Sequence, residues 1–157
     1  MKRIVLGAVI VIIVTTFFVI SQDDYKEYVN DYNIVSRLRD YESDEVLRVY
    51  KEEDGSNIFI LEKEGYNPGI LLLIQLKESK VEKLKILKHN ETPDYGGYAD
   101  NEWFLSRFIG PVVDKFKLVK IRSEADNEIV AVTGATYTSQ AVVDAVNKCL
   151  EINGGLK

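Results

Sequence analysis

Residues 70–76 read I-L-L-L-I-Q-L, six apolar side chains in seven. The run is too short for an ordinary helix. It also lacks the polar alternation of a strand with one wet face, so a strand buried on both faces is predicted. Upstream, V-L-R-V-Y (residues 46–50) and I-F-I-L (residues 58–61) flank a turn containing Asp54-Gly55. Asp-Gly between two such runs signals a β-hairpin. Gly65-Tyr66-Asn67-Pro68-Gly69 turns the chain into the apolar run, and Lys77-Glu78-Ser79 turns it out into V-E-K-L-K-I-L (residues 81–87). Successive strands with short turns predict an antiparallel sheet.

Beyond this block the texture changes. H-N-E-T-P-D-Y-G-G-Y-A-D (residues 89–100) is a loop rich in turn formers and aromatics. Residues 101–108 predict a short helix with Trp103, Phe104 and Phe108 on its apolar side, stopped by Gly110-Pro111. Residues 116–121 and 129–132 read as two short strands around a polar turn. A closing helix spans about 138–151, where Val142, Val146, Cys149 and Leu150 recur at helical spacing and Gly154-Gly155 terminates it. Before the first strand, residues 21–44 are polar; Val29, Ile34, Val35 and Leu38 predict a short amphipathic helix. The class is α+β: an antiparallel sheet with packed helices, preceded by one N-terminal transmembrane helix.

That last element rests on residues 4–20, I-V-L-G-A-V-I-V-I-I-V-T-T-F-F-V-I, which carry no charge. Such a helix is about 26 Å long, at the short end for a membrane span. Lys2 and Arg3 precede it and Asp23 and Asp24 follow, which places the N-terminus in the cytoplasm and the domain outside. The rival is a cleaved signal peptide, but Ile20-Ser21-Gln22 is a poor cleavage site. The reading is therefore an uncleaved single-pass anchor. The formal net charge is −5 and no basic cluster stands out, which argues against nucleic acid as a partner. The one cysteine, Cys149, excludes an internal disulfide and reads as buried filler.

Two clusters carry chemistry. The final strand runs into T-G-A-T-Y-T-S (residues 133–139) and then a helix. Strand, small-residue turn and helix present backbone N–H groups and a helix dipole to an anion, phosphate above all. Gly134 and Ala135 allow close approach, and Thr133, Thr136, Thr138 and Ser139 supply hydroxyls. The plainer reading is a helix cap. The second cluster centres on His89, the only histidine. With Glu91 it could form half a metal site or act as an acid; a structural role is the simpler reading. Trp103, Phe104, Tyr95 and Tyr98 could stack on a planar ring or fill the core.

Taken together, G-Y-N-P-G-I-L-L-L-I-Q-L, H-N-E-T-P-D-Y-G at 89–96, W-F-L-S-R-F-I-G at 103–110 and T-G-A-T-Y-T-S at 133–139 stand in one order behind a single apolar segment. In that order the chain, from about Gly65 to Leu150, resembles the FMN-binding domain of the G subunit of Rnf-type ferredoxin:NAD oxidoreductase complexes. It is similar also to the C subunit of the sodium-translocating NADH:quinone reductase. The resemblance implies flavin mononucleotide (FMN) joined by a phosphoester to the last threonine of the motif, Thr138. A separate flavin transferase, using FAD and magnesium, would make that bond outside the cytoplasm. Thr133, Gly134, Ala135, Thr136, Tyr137 and Ser139 would form the phosphate side, with His89, Glu91 and Thr92 close to the flavin.

The implied function is an electron relay within an ion-translocating membrane complex, partnered by its other subunits, rather than a self-sufficient enzyme. No catalytic residue and no metal are assigned. The alternatives are a stand-alone extracytoplasmic FMN-dependent reductase and an anchored, non-redox binding module. The expected organisation is an anchor over residues 1–22, a polar, partly helical linker over 23–44 and an FMN-binding domain over 45–157.

Overall fold

The computed structural model of the chain describes residues 24–156. The apolar segment at residues 4–20, and the membrane anchor read from it, lie outside the described residues. Among the described residues no helix is long and apolar enough to cross a membrane.

Five strands form one antiparallel meander in sequence order: β1 (Ile34–Arg37), β2 (Val46–Glu52), β3 (Asn57–Lys63), β4 (Ile70–Lys77) and β5 (Lys80–Lys88). The β2–β3 hairpin turns at Asp54-Gly55, where Gly55 has a positive φ of 87°. Ser56 donates its hydroxyl and its N–H to the Asp54 carboxylate, and Lys77 pairs with it; together they hold that carboxyl well below the usual range. As expected from its composition, β4 is buried on both faces. Leu72 and Ile74 point one way, opposite Leu61 and Phe59 of β3, while Leu71 and Leu73 point the other and are also buried.

The long helix α2 (Thr136–Gly155) packs over β3 and β4. Its Val142, Val146, Cys149 and Leu150 join Phe59, Leu61, Leu72 and Ile74 in the core. Cys149 is fully buried, and burial pushes its thiol pKa upward. Three polar side chains fix the helix along its length. Ser139 Oγ accepts the Val132 N–H at 3.0 Å. Asn147 brackets the backbone of Phe116, accepting from its N–H and donating to its carbonyl at 2.7 and 2.9 Å. Asn153 accepts from Asn57 Nδ2 at 2.8 Å and donates to the Glu78 carbonyl in the β4–β5 turn. Glu78 is the one non-glycine with positive φ among the described residues, so the helix end grips a turn with little freedom of its own.

Three expectations are corrected. The amphipathic helix over Val29–Leu38 does not form: Ile34–Arg37 is the edge strand β1, paired with β2, and Lys26–Val29 is a single 3-10 turn. Pairing with an existing sheet edge satisfies more backbone groups than an isolated short helix could. Trp103, in the one-turn helix α1 (Glu102–Leu105), does not join Phe104 and Phe108 in the core; it is 49% exposed with Arg107 over its ring. The two short strands expected around the polar turn are present as β6 (Lys117–Val119) and β7 (Glu128–Val130), and they form a separate parallel pair. Finally, Gly154 and Gly155 lie inside the last turn of α2, and Leu156 follows as its cap.

Asn153→Ala removes both anchors at the helix end and leaves the Asn57 amide without its partner. It is expected to destabilise the fold by about 1–3 kcal/mol in urea unfolding. A loss below about 0.5 kcal/mol would show that the helix end is held by apolar packing alone.

Candidate functional site

The site lies where β7 feeds α2. After Val132 the chain makes a tight turn: the Ala135 N–H returns to the Val132 carbonyl at 2.9 Å, and Gly134 takes a φ of 78°. That left-handed conformation suits glycine, and a Cβ at Gly134 would also strike the Tyr95 ring. The first helical bond runs from the Ser139 N–H to the Ala135 carbonyl. The N–H groups of Thr136, Tyr137 and Thr138 therefore precede the ladder, and no side chain caps them. The positive end of a 20-residue helix is left with open donors.

Opposite this turn stands the loop after β5. The Glu91 carboxylate, 6% exposed, is its centre. One oxygen accepts the Asn67 N–H at 2.9 Å. The other accepts the hydroxyl of Thr138 at 2.8 Å, and Thr138 itself is 1% exposed. The carboxylate fits only because two glycines flank it. A Cβ at Gly65 would lie 2.6 Å from Glu91 Oε1, and one at Gly96 would collide with Oε2 and come within 2.8 Å of Thr138 Oγ1. His89 holds the loop from behind: its Nδ1 accepts the Glu91 N–H at 3.1 Å, which leaves the ring proton on Nε2. Thr92 closes the turn, its carbonyl accepting from the N–H groups of Tyr95 and Gly97.

Between the two walls lies a cleft of about 340 Å³. Its floor includes Glu91, Gly96, Ala135 and Thr138, and its rim carries Tyr66, Tyr95 and Tyr137. All three tyrosines are more than half exposed, and the rings of Tyr66 and Tyr137 stand 6.5 Å apart. Among the described residues Glu91 is the only charged side chain lining the cleft, so an anion there would be held by backbone N–H groups and the helix dipole, not by a cation.

The residues singled out from sequence separate into two groups. Gly134, Ala135, Tyr137, Thr138, Glu91 and Thr92 line the cleft. Thr133, Thr136, Ser139 and His89 do not: Thr133 and Thr136 are exposed, Ser139 is buried beneath the turn, and His89 serves the loop backbone. Tyr95 faces the cleft, Tyr98 and Trp103 are exposed elsewhere, and Phe104 is core. Among the described residues no group of three His, Cys, Asp or Glu could hold a metal, so His89 and Glu91 remain without a third ligand. Sequence reasoning missed Tyr66, Gly65 and Gly96. Gly96 had a signal, since it stands in the Gly-Gly pair of the His89 loop.

Comparison with known proteins agrees with this geometry. The chain matches the pattern of the FMN-binding domain over residues 65–151, which contains both walls of the cleft. It is 38% identical over 91 residues to the G subunit of the proton-translocating ferredoxin:NAD(+) oxidoreductase complex of Clostridium ljungdahlii, covering 57% of this chain and 49% of that one. It is 30% identical over 128 residues to the G subunit of the Na(+)-translocating ferredoxin:NAD(+) oxidoreductase complex of Acetobacterium woodii, covering 76% and 61%. The chain thus spans about half of one relative's length and about three-fifths of the other's. The crystal structure of Shewanella oneidensis NqrC shares the fold, with a TM-score of 0.54 at 20% identity over 68% of this chain and 56% of that one. With the match spanning more than half of its residues, the chain belongs to the FMN-binding domain family.

Proposed function

We propose that the protein is a membrane-anchored, extracytoplasmic electron carrier whose FMN is joined through its phosphate to Thr138. Within that reading it serves as one component of an ion-translocating electron-transport complex. One observation supports the attachment: of the three threonines in the motif, only Thr138 lines the cleft, in the first turn of the helix whose N-terminal donors no side chain caps. The family match and the names of the relatives support FMN and a multi-subunit complex. The charge flanks of residues 4–20 support the anchor and its orientation.

The residues present fit the cofactor. The N–H groups of Thr136, Tyr137 and Thr138 would hold the phosphate. Gly134 and Ala135 offer backbone with little side chain in the way. At about 340 Å³ the cleft is at the small end of ligand sites, so the ring system would extend toward Tyr66, Tyr95 and Tyr137 at the rim. When bound, FMN supplies the redox chemistry, while the protein fixes its place and exposure. A covalent link removes the dissociation step, which suits a carrier outside the cytoplasm.

Co-expression of the full chain with a flavin transferase is expected to give a yellow protein whose flavin fluorescence survives denaturing electrophoresis. Thr138→Ala is expected to abolish that band, and Thr133→Ala to retain it. Fluorescence persisting in Thr138→Ala would contradict the attachment.

Gly96→Ala tests the cleft floor. Its Cβ displaces Glu91 from Thr138, with an expected loss of about 1–3 kcal/mol in stability and a weaker fluorescent band. Wild-type stability and labelling in Gly96→Ala would show that the loop yields without disturbing the site.

A further inference from the structure

The five-stranded sheet ends at β5 on an edge that is only partly covered. At its start the segment after α1 bridges it: Lys80 pairs with Val112 and Val81 with Ile109, and the Val81 carbonyl accepts the Gly110 N–H at 3.4 Å. From Glu82 to Lys88 no strand among the described residues pairs with that edge. Unpaired N–H and C=O groups along a strand are a template for another strand. A groove of about 460 Å³ lies there, lined by residues 82–86 of β5 on one wall and by Leu105 and Ile109 on the other. Successive residues of a strand face opposite ways, so a groove that touches residues 82–86 without a gap follows the edge of β5, not one of its faces. It shares no lining residue with the cofactor cleft.

The two sides of this edge differ in chemistry. Leu84 is buried in the core and Ile86 packs against it, so with Leu105 and Ile109 they make the side toward α1 apolar. Asp100 and Glu102 add negative charge to that wall. By alternation Lys83 and Lys85 point to the opposite side of the sheet. Lys83 lies over the Tyr32 ring, and Lys85 is exposed and in none of the ion pairs among the described residues. A second copy of β5 is a poor occupant, because antiparallel pairing would set this lysine row against its own copy. A strand with acidic residues on that side meets opposite charge instead.

We propose that the open edge of β5 is a strand-addition site for an extended segment of a partner protein, apolar on one side and acidic on the other. Its backbone pairs with residues 82–86, a length of roughly 17 Å for five residues of strand. Its apolar residues enter beside Ile86, Leu105 and Ile109, and its acidic residues face Lys83 and Lys85. Main-chain hydrogen bonds supply affinity, and the alternate side chains supply selectivity. Asp100 and Glu102 turn away an acid on the apolar side, so the alternation is read in one orientation. None of this depends on how FMN is held.

The probe is an end-capped, fluorescein-labelled heptapeptide alternating valine and glutamate, titrated with the full chain and followed by fluorescence anisotropy. Saturable binding is expected, and the peptide with lysine in place of each glutamate is expected not to bind. Lys85→Glu is expected to weaken binding of the valine–glutamate peptide about tenfold, with an unchanged unfolding midpoint. Backbone N-methylation at the valines and at the glutamates is tested separately. Consecutive N–H groups of a strand point to opposite edges, so one methylated peptide is expected to lose binding and the other to keep it. Absence of binding by the valine–glutamate peptide, equal binding by the lysine peptide, an unchanged affinity in Lys85→Glu, or the same effect of both methylations overturns the proposal. A dimer of the full chain that the peptide breaks assigns the edge to a second copy and overturns the partner assignment.

Discussion

A carboxylate buried to 6% exposure needs hydrogen-bond donors, and Glu91 finds two from distant parts of the chain: the Asn67 N–H and the Thr138 hydroxyl. An unpaired charge at that depth costs several kcal/mol, so the three segments that meet there are not free to drift apart. The turn before β4, the loop after β5 and the first turn of α2 are thereby held together. Gly65 and Gly96 stand at the contact because no side chain fits against the carboxylate. The cleft is the space left between walls that this one group joins.

The rest of the fold serves to deliver those three segments. The apolar strand β4 fixes the turn that precedes it, and β5 returns alongside so that its end arrives next to that turn. Helix α2 crosses β3 and β4 and is fixed by Ser139 at one end and Asn153 at the other. Its N-terminus is thus carried by the core, not by a loop. A rigid donor array suits a phosphate, because open backbone N–H groups bind an anion best when they need no rearrangement.

Much of this is legible in the sequence, for physical reasons that vary by element. The strand at 70–76 announces itself because burial on both faces demands an unbroken apolar run. The Asp54-Gly55 hairpin and the α2 helix follow from turn chemistry and period. Residues 34–37 mislead because a four-residue edge strand has too few positions to show alternation, and the sheet edge that recruits it is invisible in one dimension. Trp103 misleads because helical spacing cannot show that Arg107 covers its ring outside the core. At the site, the motif and the loop are each readable, but their roles are not. Thr138 and Glu91 are 47 residues apart, and no local pattern states that one donates to the other. Ser139 looks like a ligand group and instead ties the turn to the helix; Thr133 and Thr136 share Thr138's chemistry but do not line the cleft.

The central claim is that Glu91 and Thr138 act as one unit, and a double-mutant cycle on folding stability addresses it most directly. Glu91→Ala, Thr138→Val and the double variant are compared with wild type by urea unfolding. A hydrogen bond to a buried carboxylate predicts a coupling energy of about 1.5–3 kcal/mol, with the double variant less destabilised than the sum of the singles. Additive losses, with coupling below about 0.3 kcal/mol, would contradict the account.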